Sequence, residues 1–308
     1  MDPGGYLWWY LDIVSDDGRE ALTVILFVGS VFSPFYAAAL GKNDGADPED
    51  YCAVNVAVYG VSERRWAFSE YQRPQIERRE EQLTLGRSVA RWEDGQLVIA
   101  LDERAASLWS RRRVRGTVRV SFEASPKVSF SIDPDGRHRW WPIAPVARAI
   151  VQLDEPNLRF AGSAYLDSNF GEEPLADGFA RWHWSRSESD EGKAIVLYDA
   201  VPRRGAPYER SLVFESDGSW GYADASLESQ PLGRGFWGVD RETRADAGAN
   251  PRVLRAFEDA PFYTRELIET TIEGRRLQAV HESIDFDRWR KPVVRAMLPF
   301  RIRRRFVG

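Results

Sequence analysis

Across 308 residues there are one cysteine, two methionines and three histidines, so the side chains of thiol, redox and metal chemistry are nearly missing. Cys52 has no second cysteine to pair with in the chain, which fits a reducing compartment. His138, His183 and His281 lack metal-ligand spacing, and with a single cysteine a zinc site is not expected. No Walker loop and no G-x-G-x-x-G leaving a strand is read in the chain, so nucleotide-dependent chemistry is not expected. There is also no G-x-S-x-G elbow of a serine hydrolase. Asp2 stands where a secretory signal would be basic, so no signal peptide is expected.

Charge of one sign is also lacking. The net charge is −5 with 29% charged residues, a balance that implies neither disorder nor a nucleic-acid partner. The charge is nonetheless unevenly placed. Arg288 to Gly308 holds eight basic residues and no acidic one, which leaves the rest of the chain at −13. Long apolar runs are few. Ala21 to Gly41 is uncharged, but Gly29, Ser30, Ser33 and Pro34 interrupt it. Val24 to Val28 is rich in β-branched residues, so the stretch reads as a buried strand and its loop rather than a membrane span.

What the chain has in quantity is aromatic: 12 Trp, 11 Tyr and 16 Phe. Such rings fill cores and also line sites for flat or apolar ligands. Period-two alternation dominates. Val118, Val120 and Phe122 alternate with polar residues, as do Val128, Phe130 and Ile132, with turn residues between and after. Further strands are expected at 53–59, 66–70, 96–101, 158–164, 179–185, 194–200, 209–215, 219–224, 265–273 and 276–285. Short Gly-, Pro- and Asp-rich connections give the rhythm of sandwiches and barrels. Helix is expected only as a turn or two at Val253–Glu258 and in the tail after Phe286, where Pro292 and Pro299 break it. The length suits two ordinary domains or one large all-β domain, with a change plausible near 145–160.

Two clusters join proton-handling groups to rings. The first is Arg137-His138-Arg139-Trp140-Trp141-Pro142, and the second runs from Gly162 through Tyr165-Leu166-Asp167 to Phe170-Gly171. In a strand His138 and Trp140 share a face, and so do Tyr165 and Asp167. A third cluster, Arg181 to Arg186, holds Trp182, His183 and Trp184. By spacing alone the structural readings lead: core rings and a hydrogen-bonded turn for the first two, and a half-buried strand with a hydrogen-bonded His183 for the third.

The stretch Asp12–Pro34, with Ser15-Asp16-Asp17-Gly18 and Phe27 to Pro34, resembles the carotenoid 1,2-hydratases, also called hydroxyneurosporene synthases. The similarity continues through Cys52 to Gly60, Trp66-Ala67, Arg159 to Gly171 and Trp182-His183-Trp184. The resemblance implies two lipocalin-like β domains, 1–155 and 156–287, followed by a basic amphipathic tail, 288–308. It implies catalytic roles for His138, Trp140, Tyr165 and Asp167. Trp141, Phe170, His183 and Trp184 are expected to line the substrate.

The implied reaction adds water to the C1=C2 bond at the end of an acyclic carotenoid such as neurosporene or lycopene. Such an alkene must first be protonated at C2, which leaves a tertiary cation at C1 for water to capture. An acid that works at neutral pH must arrive protonated, and burial among rings disfavours a charged carboxyl. Asp167 is therefore expected as the acid, with Tyr165 holding it, Trp140 facing the cation and His138 orienting water or returning the proton. No cofactor or metal is expected. The tail mixes Val293, Val294, Met297, Leu298, Phe300 and Ile302 with Arg295, Arg301 and Arg303 to Arg305. It is expected to rest on an anionic membrane surface, placing the chain peripherally on the cytoplasmic side of the inner, photosynthetic membrane. Two rivals remain open: a non-catalytic carrier of an apolar ligand, and a glycan-active protein, for which no acid pair at defined spacing is seen.

Overall fold

The computed structural model describes residues 1–42, 46–60, 63–106, 112–188, 192–223, 226–298 and 302–304. These residues form an all-β chain, as the alternation predicts, arranged in two compact units. One comprises Met1–Phe130, Arg137–Pro174 and Ala296–Gly308; the other comprises Ser131–Gly136 and Leu175–Arg295.

The strands β1 (Tyr6–Ser15), β2 (Ala21–Val28), β3 (Cys52–Tyr59), β4 (Arg64–Tyr71), β5 (Ile76–Arg78), β6 (Gln82–Leu85), β7 (Ser88–Glu93), β8 (Gln96–Arg104), β9 (Arg113–Ser121), β10 (Phe130–Ser131), β11 (His138–Glu155) and β12 (Leu158–Gly171) belong to one large sheet. Its order runs β4-β3-β2-β1-β12-β11-β9-β8-β7-β6-β5. The uncharged stretch after Ala21 becomes β2 and a short helix α1 (Pro34–Leu40), started by the Ser33 side chain, which accepts from the Phe35 and Tyr36 backbone N–H groups. Among the described residues no helix is long and apolar enough to cross a membrane.

β4 packs beside β8 and β9, so the sheet curls around its own interior. That interior is aliphatic: Leu11, Ile13, Val24, Val54, Val56, Ile99, Val118, Val151, Ala164 and Leu166 form one cluster. The chain enters β12 through a close crossing of β1. A Cβ on Gly162 would run into the Val14 backbone carbonyl and lie 2.8 Å from the Ser15 Cα. Position 155/156 is the turn of the β11–β12 hairpin, within the first unit.

The second unit follows a helical turn α2 (Leu175–Gly178). It holds β13 (Phe179–Glu188), β14 (Ala194–Pro202), β15 (Tyr208–Phe214), β16 (Trp220–Tyr222), β17 (Leu227–Arg234), β18 (Asp240–Asp246), β19 (Arg252–Asp259), β20 (Tyr263–Ile272) and β21 (Arg275–Asp285). Seven of these make a sheet in the order β16-β15-β14-β13-β21-β20-β19, and β17 and β18 form a separate ribbon. β18 lies against β13, β20 and β21. Beneath it are small apolar clusters, such as Ile195, Leu197, Ile272 and Leu277, beside an ionisable layer. Arg244 reaches Asp199 from β18. His281 Nδ1 lies 2.8 Å from Glu266 Oε1, and its Nε2 donates to the Glu242 carbonyl at 2.8 Å. His183 Nδ1 meets the Ser283 hydroxyl at 2.8 Å, and its ring stacks 6.3 Å from His281. Burial, reinforced by His281 and Arg181, pushes the His183 imidazole down to about 3.

Three expectations need correction. Val253–Glu258 is not helical: it lies in β19, whose pairing to β20 overrides local propensity. Gly233, Gly235 and Gly238 do fall in a G-x-G-x-x-G spacing after a strand. However, the chain returns as antiparallel β18 rather than a helix, so the geometry that cradles a pyrophosphate is missing. The strand expected at 128–132 is reduced to the two residues of β10. The tail forms α3 (Phe286–Trp289) and α4 (Pro292–Met297) and then β22 (Arg303–Arg304), which pairs in parallel with β4. Trp289, Val294 and Ile302 are buried, so part of the tail's apolar surface is used by the body of the protein. Phe300, Arg301 and Arg305 lie outside the described residues.

Gly162→Ala forces β1 and β12 apart and is expected to cost about 1–3 kcal/mol, read as a lower midpoint in chemical unfolding. His183 contributes stability that is full above its unfolded value of 6.5 and declines as pH falls toward about 3. His183→Gln is therefore expected to flatten the acid-side loss of unfolding free energy, by at most about 1.4 kcal/mol per pH unit. Parallel pH profiles for the two proteins test it.

Candidate active site

Three neighbouring strands, β1, β12 and β11, present one face carrying most of the reactive side chains. Tyr10 pairs with Asp167, Trp8 with Asn169 and Tyr6 with Gly171. On the other side of β12, Pro142 pairs with Asp167, Trp140 with Asn169 and His138 with Gly171. Strand alternation puts all of these on the face opposite the aliphatic interior. Both faces are covered here, because Tyr6, Trp8, Tyr10, Tyr165, Asp167 and Asn169 are buried alongside Leu11 and Leu166.

Three of the expected quartet, Trp140, Tyr165 and Asp167, come together, while His138 lies further along the same face, opposite Gly171. The Trp140 indole N–H donates to Asp167 Oδ2 at 2.9 Å, with the Tyr165 hydroxyl 3.2 Å away. That hydroxyl itself donates to the same Asp167 oxygen at 2.8 Å. An indole N–H cannot accept, so Oδ2 receives from both. Trp140 thus meets Asp167 with its N–H edge, and one of its faces stacks on Phe130 at 5.3 Å between centroids. The Tyr10 ring stands edge-on to Tyr165.

His138 is held from both sides. Tyr6 Oη lies 2.9 Å from its Nδ1, and Glu173 Oε1 lies 3.4 Å from its Nε2. With Nε2 donating to the carboxylate, Nδ1 of a neutral ring accepts from the phenol. Arg137 fixes Glu173 through an ion pair at 2.8 Å. Gly171 makes this possible: a Cβ there would lie 2.6 Å from His138 Nδ1 and 2.7 Å from Tyr6 Cε1. The two rings meet across a strand position that has no side chain, stacked at 5.8 Å.

Other expected residues are placed differently. Trp141 and Phe170 lie on the same strands but alternate onto the other face, and Trp141 is partly exposed. His183 and Trp184 belong to the second unit, where His183 is engaged with Ser283. The reading of the sequence missed Tyr6, Tyr10, Asp12 and Glu173. Asp12 is fully buried and pairs with Tyr165 in the strand register. For the first three the signal was the stretch Tyr6 to Ser15, apolar but for Asp12 and Ser15 and ending at a turn, which is the pattern of a strand buried on both sides. Among the described residues no group of three or more His, Cys, Asp or Glu is placed to hold a metal ion.

Residues 24–307 match the family model for carotenoid hydratase CrtC. The chain is 43% identical over 304 residues to an acyclic carotenoid 1,2-hydratase of Thiocapsa roseopersicina, covering 99% of this chain and 74% of that protein. It is 42% identical over 306 residues to the enzyme of that name from Rubrivivax gelatinosus, with 99% and 75% covered. Identity is 35% over 282 residues to the Cereibacter sphaeroides enzyme, 92% of this chain and 98% of that one. Among solved structures, a putative AttH from Nitrosomonas europaea aligns with a TM-score of 0.63 at 11% identity, covering 91% and 92% of the two chains. Kievitone hydratase from Nectria haematococca aligns at 0.55 and 10% identity, covering 92% and 90%. These two share the lipocalin-like, all-β fold. With a family model spanning nearly the whole sequence and relatives above 40% identical over 99% of this chain, the chain belongs to the carotenoid hydratase family of enzymes.

Proposed function

We propose that this enzyme hydrates the C1=C2 bond at the ψ-end of an acyclic carotenoid such as neurosporene or lycopene, with Asp167 as the acid. The observation that carries the proposal is the convergence of Trp140 and Tyr165 on a single oxygen of a buried carboxyl. In the neutral acid, two donors on Oδ2 make that oxygen the carbonyl and leave the acid proton to Oδ1. A site without bulk water disfavours the charged form of that acid.

Proton transfer from Oδ1 forms a C–H bond at C2 and leaves a tertiary cation at C1. Tyr10, opposite Asp167 in the strand register, is the ring placed to stabilise that positive charge through its face, worth about 2 kcal/mol when desolvated. Water then bonds to C1 and sheds a proton; the Tyr6 phenol takes it while passing its own proton to His138 Nδ1, and a proton returns to Asp167 before the next turnover. The sum is H at C2 and OH at C1. No electrons are transferred, so the scheme requires no redox cofactor. Because the substrate is an apolar polyene dissolved in lipid, the enzyme works at a membrane surface.

Asp167→Asn keeps the shape and removes the acid. It is expected to lower conversion of lycopene or neurosporene to the 1-hydroxy product by about 100-fold or more; near wild-type conversion would refute the assignment. In D2O one deuterium should appear at C2 of the product. Trp140→Phe and Tyr165→Phe each keep a ring but delete one donor to Oδ2, and each is expected to cost about 5- to 100-fold in kcat. A loss for Trp140→Phe far smaller than for Trp140→Ala would mean that its ring, rather than its N–H, matters.

A further inference from the structure

The β17–β18 hairpin ends in a tip that is not built for water. Phe236 is 88% exposed and Trp237 is 44% exposed. The rings stand edge to face at 5.7 Å. Side by side at the apex of a turn, they bury nothing of each other's outer surface, and such exposure is costly without a partner.

The backbone beneath them is arranged to do without water. The Phe236 N–H donates to Asp259 at 2.6 Å, and the Trp237 N–H also points at that carboxylate, at 3.4 Å. Gly235 donates to the Val239 carbonyl and Gly238 to the Gly235 carbonyl, both at 2.9 Å. Arg288 from α3 holds the Trp237 carbonyl. A loop that leaves water must satisfy its backbone internally, and here the N–H groups of Gly235 to Gly238 are all engaged within the protein.

A basic collar surrounds the tip. Arg241 bonds the carbonyls of Leu232 and Arg234 across the hairpin. Arg288 anchors its base through the Pro261 carbonyl at 2.6 Å, and Arg234 flanks it in an exposed pair with Asp240. Three arginines thus stand against the two acids Asp240 and Asp259. An aromatic apex above a cationic ring complements a bilayer interface that carries anionic headgroups.

We propose that the Gly233–Gly238 tip is the membrane contact of this enzyme: Phe236 and Trp237 enter the interface of an anionic bilayer while the arginine collar meets the headgroups. This rests on the reading of the substrate as a lipid-dissolved carotenoid, and it assigns the contact to the hairpin rather than to the basic tail. The experiment compares the full-length protein with Phe236→Ser/Trp237→Ser on vesicles of phosphatidylcholine with phosphatidylglycerol and on phosphatidylcholine alone. Circular dichroism checks that both proteins are folded. The double variant is expected to bind the anionic vesicles on the order of tenfold or more weaker, and to hydrate vesicle-borne carotenoid correspondingly slowly. In detergent micelles both proteins should turn over alike. A second readout uses Phe236→Cys carrying an environment-sensitive dye. Cys52 is buried and burial pushes its thiol up to about 12, so only the new thiol reacts. Dye emission should shift to the blue on anionic vesicles. Unchanged vesicle binding by the double variant, or unmoved dye emission, overturns the proposal. So does a tip that proves to join two protein copies without binding vesicles. Absence of turnover in micelles by the wild type would instead sink the hydratase reading and leave the vesicle result standing.

Discussion

The arrangement around Asp167, and the proposal built on it, hangs on two hydrogen bonds that end on the same oxygen. Trp140 and Tyr165 both donate to Asp167 Oδ2. One donor would orient the carboxyl; two distinguish its oxygens. A carboxylate in water is symmetric, and a symmetric acid has no preferred direction in which to deliver its proton. The pair of donors removes that symmetry, and burial keeps water from restoring it.

The sheet supplies this arrangement through register rather than through loops. Strand β12 is flanked on both sides, so each of its reactive positions is read twice, once by β1 and once by β11. Asp167 therefore faces Tyr10 on one side and Pro142 on the other, while Trp140 reaches it diagonally from opposite Asn169. Gly171 is the exception that completes the pattern. Its missing side chain lets Tyr6 and His138 close over it, and the imidazole is gripped between a phenol and the Glu173 carboxylate. Rigid, fully paired strands hold catalytic geometry more precisely than loops do.

Much of this was legible in the chain. Alternation correctly joined His138 to Trp140 and Tyr165 to Asp167, because period two is the rule of an extended strand wherever it sits. The large share of strand followed from the same rule. Alternation failed where both faces are covered. Tyr6–Ser15 carries large apolar or aromatic side chains on both faces of the strand, so no clear period emerges and the partners Tyr6 and Tyr10 stay hidden. Glu173 was invisible for another reason: it follows the strand, and only the fold brings it to His138. For Trp140 the structure adds a contact that the sequence did not suggest. Its ring suggested a cushion for positive charge, whereas its N–H edge is what meets Asp167. Val253–Glu258 misled because local helical preference carries no knowledge of a neighbouring strand.

Strand β11 also contains two register shifts, between Pro142 and Ala144 and between Ala144 and Ala147. Each is a local excess of one residue over β12. Before them His138 and Trp140 pair with odd-numbered residues of β12, and after them Arg148 and Ile150 again do so. Two excesses cancel in phase, as any even count would. A single-codon insertion or deletion between residues 142 and 147 breaks that parity while sparing every residue with a chemical role. The half of β11 bearing the imidazole and indole would then be turned over relative to the half locked into the aliphatic interior. Chain length between Pro142 and Ala147 is thus constrained as tightly as the side chains on the face it orients.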